Sequence, residues 1–266
     1  MNVTEIMTLE IPTITSDKSV AHAAERMHRE RVNSFVVMDY GHILGILTSR
    51  DVFTAHPNRI VADAMKPGPL NIAVDQDIWE ALELMDANGF EQGVVMDGDQ
   101  MTGYITREAI LIKLAEYMDP LTGLYKAPYI RSVGEKYLRD QKPFHLLFID
   151  LNDFGKINKI HGHPFGDDVI RAYSSILASL VEEKRDFLSR YAGDEFVLIS
   201  TADEEVIAKV IEEITQPNLI RNIKVTAAVG HVNGFREPDF FSWPLRDLIE
   251  RASLQSSSVK AHNVVS

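Results

Sequence analysis

A duplication at a constant offset governs what the first half of this 266-residue chain can fold into. Met7 maps to Met65, Asp17 to Asp75, Val20 to Ile78 and Met27 to Met85, each 58 residues on. The same step takes Val36-Val37-Met38-Asp39 to Val94-Val95-Met96-Asp97, and Gly45-Ile46-Leu47-Thr48 to Gly103-Tyr104-Ile105-Thr106. No gap breaks the register from Met7 to Thr106. One supersecondary unit has been used twice, and units of that kind bury a shared face.

Each unit reads helix, strand, turn, strand, helix. Val20, Ala23, Ala24 and Met27 have helical spacing within Ser19–Arg29. Strands at Phe35–Met38 and Ile43–Leu47 flank the turn cluster Asp39-Tyr40-Gly41. The second unit repeats this with Val94–Met96, Asp97-Gly98-Asp99 and Met101–Ile105. Thr48 and Thr106 fall where strand gives way to helix, a favoured N-cap position.

This arrangement resembles a tandem pair of CBS domains, covering residues 1–118 with units of about 1–58 and 59–118. The recurring family element is Gly-apolar-apolar-Thr, two residues, then Asp, matched by Gly45, Thr48 and Asp51. The resemblance implies a βαββα-type repeat in which Thr48, Asp51 and Thr106 serve an adenine-nucleotide ligand. The aspartate position of the second unit holds Ala109, so one site per chain is expected. Thr48 and Asp51 fit a helix cap equally well on their own chemistry.

Arg107 to Met118 reads as a helix with Ile110, Leu111, Leu114 and Met118 along one face. It runs straight into Asp119-Pro120-Leu121-Thr122-Gly123-Leu124 with no Gly/Ser linker. A stiff connection passes on a displacement that a flexible one would dissipate. The same pattern also fits simple packing of the last repeat helix.

Residues 119–266 alternate helix and strand: helices at Tyr129–Gln141, Asp167–Leu180 and Asp203–Ile214, strands at Phe144–Ile149 and Ile223–Val229, and a hairpin within Phe187–Ser200. Such a mixture predicts an α/β or α+β domain on a central sheet. Two acidic strand ends stand out, Phe148-Ile149-Asp150-Leu151-Asn152-Asp153-Phe154 and Arg190-Tyr191-Ala192-Gly193-Asp194-Glu195-Phe196. Carboxylates on neighbouring strand ends can share a divalent cation. A solvated hairpin tip with acidic residues is the plainer reading of the second string.

With the opening motif at Asp119, these strings resemble the GGDEF family, the diguanylate cyclases, with Ala192 in place of the first glycine. The resemblance implies a nucleotidyl-cyclase-like domain over 119–266, a central sheet flanked by helices. It assigns Asp150, the Leu151 carbonyl and Asp194 to a magnesium or manganese ion, and Asp194 and Glu195 to catalysis. It assigns Asn158 and Asp167 to guanine, and Lys260 to the phosphates of GTP. The implied activity is signal transduction by a homodimer that joins two GTP into cyclic di-GMP under control of the CBS pair. The alternative is a degenerate GGDEF domain that holds GTP or contacts a protein without turnover.

Departures from the family pattern predict weak turnover. Gly155 and Val264 stand where the family has a lysine and an arginine, and Asn152 replaces a frequent aspartate. Ala192 would strain the backbone if its position required a left-handed conformation. No product-inhibition site is expected, because Glu183 holds the arginine position of that motif although Asp186 matches.

Composition narrows the partners. A formal net charge of −12 weighs against nucleic acid and anionic membrane surfaces. The absence of cysteine removes disulfides, thiolate metal sites and thiol nucleophiles. No apolar run approaches the ~20 residues of a membrane span, and the N-terminus lacks a signal-peptide pattern. A cytoplasmic protein is expected.

Overall fold

The computed structural model describes residues 2–263, with side chains through Lys260. The chain divides into two compact units, Met1–Ala115 and Glu116–Ser266. Among the described residues, no helix is long and apolar enough to cross a membrane.

In the first unit, one repeat consists of β1 (Thr13–Ile14), α1 (Val20–Glu30), β2 (Ser34–Asp39), β3 (His42–Thr48) and α2 (Ser49–Thr54). After α3 (Val61–Ala64) and β4 (Lys66–Pro67) the pattern returns. Its second pass comprises β5 (Asn71–Ala73), α4 (Ile78–Asn88), β6 (Gln92–Asp97), β7 (Gln100–Thr106) and α5 (Arg107–Ala115). Ser19 caps α1 by accepting from the His22 amide, and the helix buries Val20, Ala23 and Met27. Its exit needs a left-handed residue, Arg31 at φ 55°; Gly89, one repeat later, does the same after α4 at φ 64°.

The two repeats exchange their lead-in segments. β4, which opens the second repeat, pairs with β3 of the first through Ile46 and Lys66. Thr8, the counterpart of Lys66, pairs with Tyr104, the counterpart of Ile46. Each crossing passes over a repeat glycine. A β-carbon on Gly45 would lie 2.2 Å from the Lys66 carbonyl oxygen, and one on Gly103 would lie 2.9 Å from that of Thr8. Both glycines are therefore required by close backbone approach.

α5 stops at Ala115, three residues short of the sequence expectation. Met118 instead forms an extended bridge with Tyr125, and the Asp119 amide donates to the Leu124 carbonyl. Pro120 disfavours helix at the residue before it, so the chain is already extended there.

The second unit runs β8 (Tyr125–Lys126), α6 (Ala127–Arg139), β9 (His145–Leu151), α7 (Phe154–His161), α8 (His163–Ser179), β10 (Asp186–Ala192), β11 (Glu195–Ser200), α9 (Glu204–Thr215), β12 (Asn218–Ile220), β13 (Ile223–Val225), β14 (Ala227–Asn233) and α10 (Leu245–Asn263). Its sheet has the order β14-β9-β11-β10-β8, and β12 and β13 form a separate hairpin. The single strand expected over Ile223–Val229 is thus two strands broken at Thr226.

Alternation along β9 sorts the core. Leu147, Ile149 and Leu151 join Val169, Tyr173, Phe196 and Ile207 on one side of the sheet. Leu146 and Phe148 join Ile130 of α6, Val197 and Ile199 of β11, and Leu248 and Ala252 of α10 on the other. Period-2 alternation places Asp150 on the α6 and α10 side, after Leu146 and Phe148. Glu195 lies on that side too, preceding Val197 and Ile199.

Candidate active site

Asp150 ends β9, and its cross-strand partner is Glu195, the first residue of β11. Directly opposed residues present their side chains on the same face. Gly193 and Asp194 form the two-residue turn between β10 and β11, with Gly193 at φ 47°. Ala192 belongs to β10, pairs with Glu195 and does not have a positive φ. The strain considered for alanine there is absent; the left-handed residue is Gly193. The turn is fastened to β9 by the Leu151 amide, which donates to the Asp194 carbonyl at 3.3 Å.

Three carboxylates therefore meet at the paired ends of β9 and β11. Burial first, and then the neighbouring charge of Asp150, raise the Asp194 carboxyl above its ordinary value. Glu195 is raised by burial and by both Asp150 and Asp194. Like charges held together in this way call for a cation. One is present: the Lys260 ammonium lies 2.7 Å from Asp150 Oδ1 and donates to the Leu151 carbonyl at 2.8 Å. Lys260 reaches there because Ile249, Ala252, Ser256 and Lys260 follow one another at helical spacing along the sheet-facing side of α10.

The donor set suits a hard divalent cation. Two carboxylates and a backbone carbonyl supply oxygen only, as magnesium and manganese prefer. Among the described residues, no three acidic or imidazole side chains form a ready-made metal cage. Magnesium commonly takes one or two carboxylates and completes its shell with water and substrate phosphates, so the residues fit.

The Asn158 and Asp167 positions lie on α7 and α8, joined through Gly162 at φ 86°. Asn158 Oδ1 is buried without a hydrogen-bond partner. A β-carbon on Gly166 would sit 1.9 Å from that oxygen, so the glycine is dictated by the amide. Asp167 is exposed on the next residue. Lys156, beside the vacant lysine position, pairs with Asp153 at 2.6 Å. Asn152 donates from Nδ2 to Thr226 Oγ1 at 2.8 Å, tying β9 to the break before β14. Val264 lies outside the described residues.

Sequence reasoning overlooked the tie between the opening motif and the signature turn. Arg190 Nη1 bonds both carboxylate oxygens of Asp119, at 3.1 and 2.9 Å, while its Nε donates to the Gly193 carbonyl at 2.8 Å. Burial opposes the charge on Asp119, but Thr122 and Arg190 together hold its carboxyl below the ordinary value. An arginine two residues before Ala192 was the available signal.

In the first unit, Thr48 and Asp51 close a capping box: the Thr48 amide and hydroxyl donate to Asp51 Oδ2 at 2.8 and 2.6 Å. Thr106 caps α5 from the Ala109 amide at 3.1 Å, and Ala109 returns no carboxylate. A cavity of about 300 Å³ opens beside the first cap, lined by Thr48, Arg50, Asp51, Lys66, Phe90 and Gln92 among others. Lys66 stands 3.6 Å above the Phe90 ring. The part played by Lys66 and Phe90 was illegible in the sequence, because both come from the second repeat to a cavity beside the first repeat's cap.

Comparison with known proteins bears on the order of the domains. The CBS domain model matches residues 3–58 and 61–116, and the model described as diguanylate cyclase, GGDEF domain, matches 116–236. The chain carries a tandem pair of CBS domains followed by a GGDEF domain. Diguanylate cyclase DgcZ of Escherichia coli K12 is 28% identical over 167 residues, 62% of this chain and 53% of that protein. Diguanylate cyclase DosC of the same organism is 30% identical over 118 residues, 42% of this chain and 25% of that protein. The chain thus spans about half the length of the first relative and a quarter of the second. The coiled coil and GGDEF domain of DgcB from Caulobacter crescentus, solved with c-di-GMP, aligns at a TM-score of 0.49 and 21% identity, covering 57% of this chain and 84% of that one.

Proposed function

We propose that the GGDEF domain is a slow diguanylate cyclase that joins two GTP molecules under control of the CBS pair. The observation that carries this reading is the meeting of Asp150, Asp194 and Glu195 at the paired ends of β9 and β11, where the Lys260 ammonium binds Asp150 and the Leu151 carbonyl. A magnesium or manganese ion bound there would polarise the α-phosphate and acidify the attacking hydroxyl. Asp150, Asp194 and the Leu151 carbonyl would hold it. Asn158 would serve the guanine edge through its side-chain amide, and Asp167 through its exposed carboxylate. Glu195, raised by burial, is suited to accept the proton of a ribose 3′-hydroxyl. Each 3′-oxygen attacks the α-phosphorus of the other nucleotide, two pyrophosphates leave and two protons are released. Each domain supplies one half of the site, so the working form is a homodimer.

The test is incubation with GTP and magnesium followed by nucleotide chromatography. Cyclic di-GMP should form slowly in the wild type and not at all in Asp194→Ala. A confirmed dimer that binds GTP yet makes no product would leave the domain as a GTP-dependent signalling module.

The cavity beside Thr48 supports an adenine nucleotide as the controlling ligand, with Asp51 toward the ribose and Arg50 and Lys66 toward phosphate. One molecule per chain should bind, because Ala109 supplies no second carboxylate. A thermal-shift series with AMP, ADP and ATP tests this. Asp51→Ala should lose the ligand-induced shift, and two equal sites per chain would refute it.

A further inference from the structure

We propose that Lys260 is a tethered cation, holding the divalent-ion position until metal arrives and then passing to the incoming polyphosphate. The inference rests on the GGDEF metal site read above, and it adds an exchange step that the donor set alone does not require. The ammonium is bound to the same two atoms that a metal would use: it lies 2.7 Å from Asp150 Oδ1 and 2.8 Å from the Leu151 carbonyl oxygen.

Three features fix the lysine in that place. α10 is pressed onto β14 at Gly230, where a β-carbon would lie 1.7 Å from the Ala252 carbonyl oxygen. The His231 amide donates to Gln255 Oε1 at 2.8 Å, locking the register of helix against strand. Buried Ser256, one turn before Lys260, then aims the lysine along the sheet toward the end of β9. Asp194 and Glu195 add charge around it, and Asp194 is half-shielded from solvent at the turn.

Lysine is suited to such an exchange. Its charge sits on a flexible four-carbon stem with three rotatable donors, so it can leave one oxygen set for another without moving the helix. A metal ion and this ammonium cannot share Asp150 Oδ1 and the Leu151 carbonyl oxygen. Metal entry therefore frees Lys260, and the triphosphate is the next anion to reach the site. Metal affinity in the absence of nucleotide is held down by the exchange, and metal and GTP then load cooperatively.

The test uses the full chain without nucleotide. Manganese binding is followed by electron paramagnetic resonance in wild type, Lys260→Met, Lys156→Met and Asp194→Ala. Lys260→Met should bind manganese about tenfold more tightly than wild type. Lys156→Met removes a positive charge three residues beyond Asp153 without touching either oxygen, and should change affinity no more than about twofold. In wild type, acetic anhydride labelling followed by mass spectrometry should show Lys260 shielded, and manganese alone should raise its labelling relative to the exposed Lys142. Asp194-dependent binding that is unchanged in Lys260→Met, or unchanged Lys260 labelling on metal addition, would overturn the exchange and leave the metal site standing. No manganese binding in any of the four proteins would overturn both.

Discussion

At Gly155 a β-carbon would meet nothing within 4 Å, and the residue lies outside the left-handed region. The position can therefore carry the lysine that the family has there. Gly155→Lys should lower the GTP concentration for half-maximal turnover by about tenfold, the worth of one charge-assisted hydrogen bond. Steady-state kinetics decide it, and an unchanged concentration would mean that α7 points this residue away from phosphate. Asp186 shows the reverse situation, a residue with the right identity and no freedom. It accepts two bonds from Arg185, one from Ser200 and one from the Glu182 amide, and its side chain is 4% exposed. With Glu183 in the arginine position as well, cyclic di-GMP should not bind tightly at this corner. Calorimetry tests that, and tight binding lost in Asp186→Ala would refute it. The acidic and amide site residues were legible because their chemistry is local and their order along the chain is distinctive. The link from Arg190 to Asp119, across 71 residues, was not, because no spacing rule reports which arginine a sheet brings beside which aspartate.

Among the elements, the hairpin and most of the helices could be read from periodicity, with ends displaced by up to four residues under tertiary demands, whereas α7 was not read at all. α8 begins at His163, not Asp167, because Gly162 and Pro164 allow the chain to re-enter a helix at once. β13 and β14 read as one strand until Thr226 is taken up by Asn152, a contact from β9. The pair of buried His145 on β9 and partly buried His231 on β14, with ring nitrogens 3.0 Å apart, gives this sheet a pH signature. Burial lowers both imidazoles below their ordinary value; the neighbouring imidazole lowers His231 further, against a partial opposing pull from Glu204 and Glu237. Below pH ~6.5 the unfolded chain takes protons that the folded one refuses, so stability falls as pH drops through that point toward the depressed folded values. Urea unfolding at pH 7.5 and 5.5 should show the loss, and His231→Gln should reduce it. An equal loss in the variant would assign the pH dependence elsewhere.

For the molecule as a whole, the duplication foretold two like halves in the first unit but not that each completes the other. The lead-in segments carry no strand pattern of their own: Lys66–Pro67 is a two-residue strand that only the opposite repeat can define. Gly45→Ala tests how much depends on that crossing. The added carbon would force β4 from β3, and overpacking of this kind costs about 1–3 kcal/mol. Chemical denaturation should show the loss in the first unit, together with a weaker adenine-nucleotide shift, since Lys66 lines that cavity. A variant as stable as wild type would mean the segments can slide apart freely.

The exchanged lead-ins have a consequence for assembly and for error. A single repeat made alone would keep β3 with its pairing groups bare on one side, and would carry a spare lead-in with nothing to complete. Two such fragments could satisfy one another by trading arms, as the two repeats do within this chain. Within one chain the two arms have different reaches, 20 residues from Ile46 to Lys66 and 96 from Thr8 to Tyr104. Both tethers replace an encounter between molecules with a local search, and two neighbouring chains emerging together keep the option of trading arms with each other.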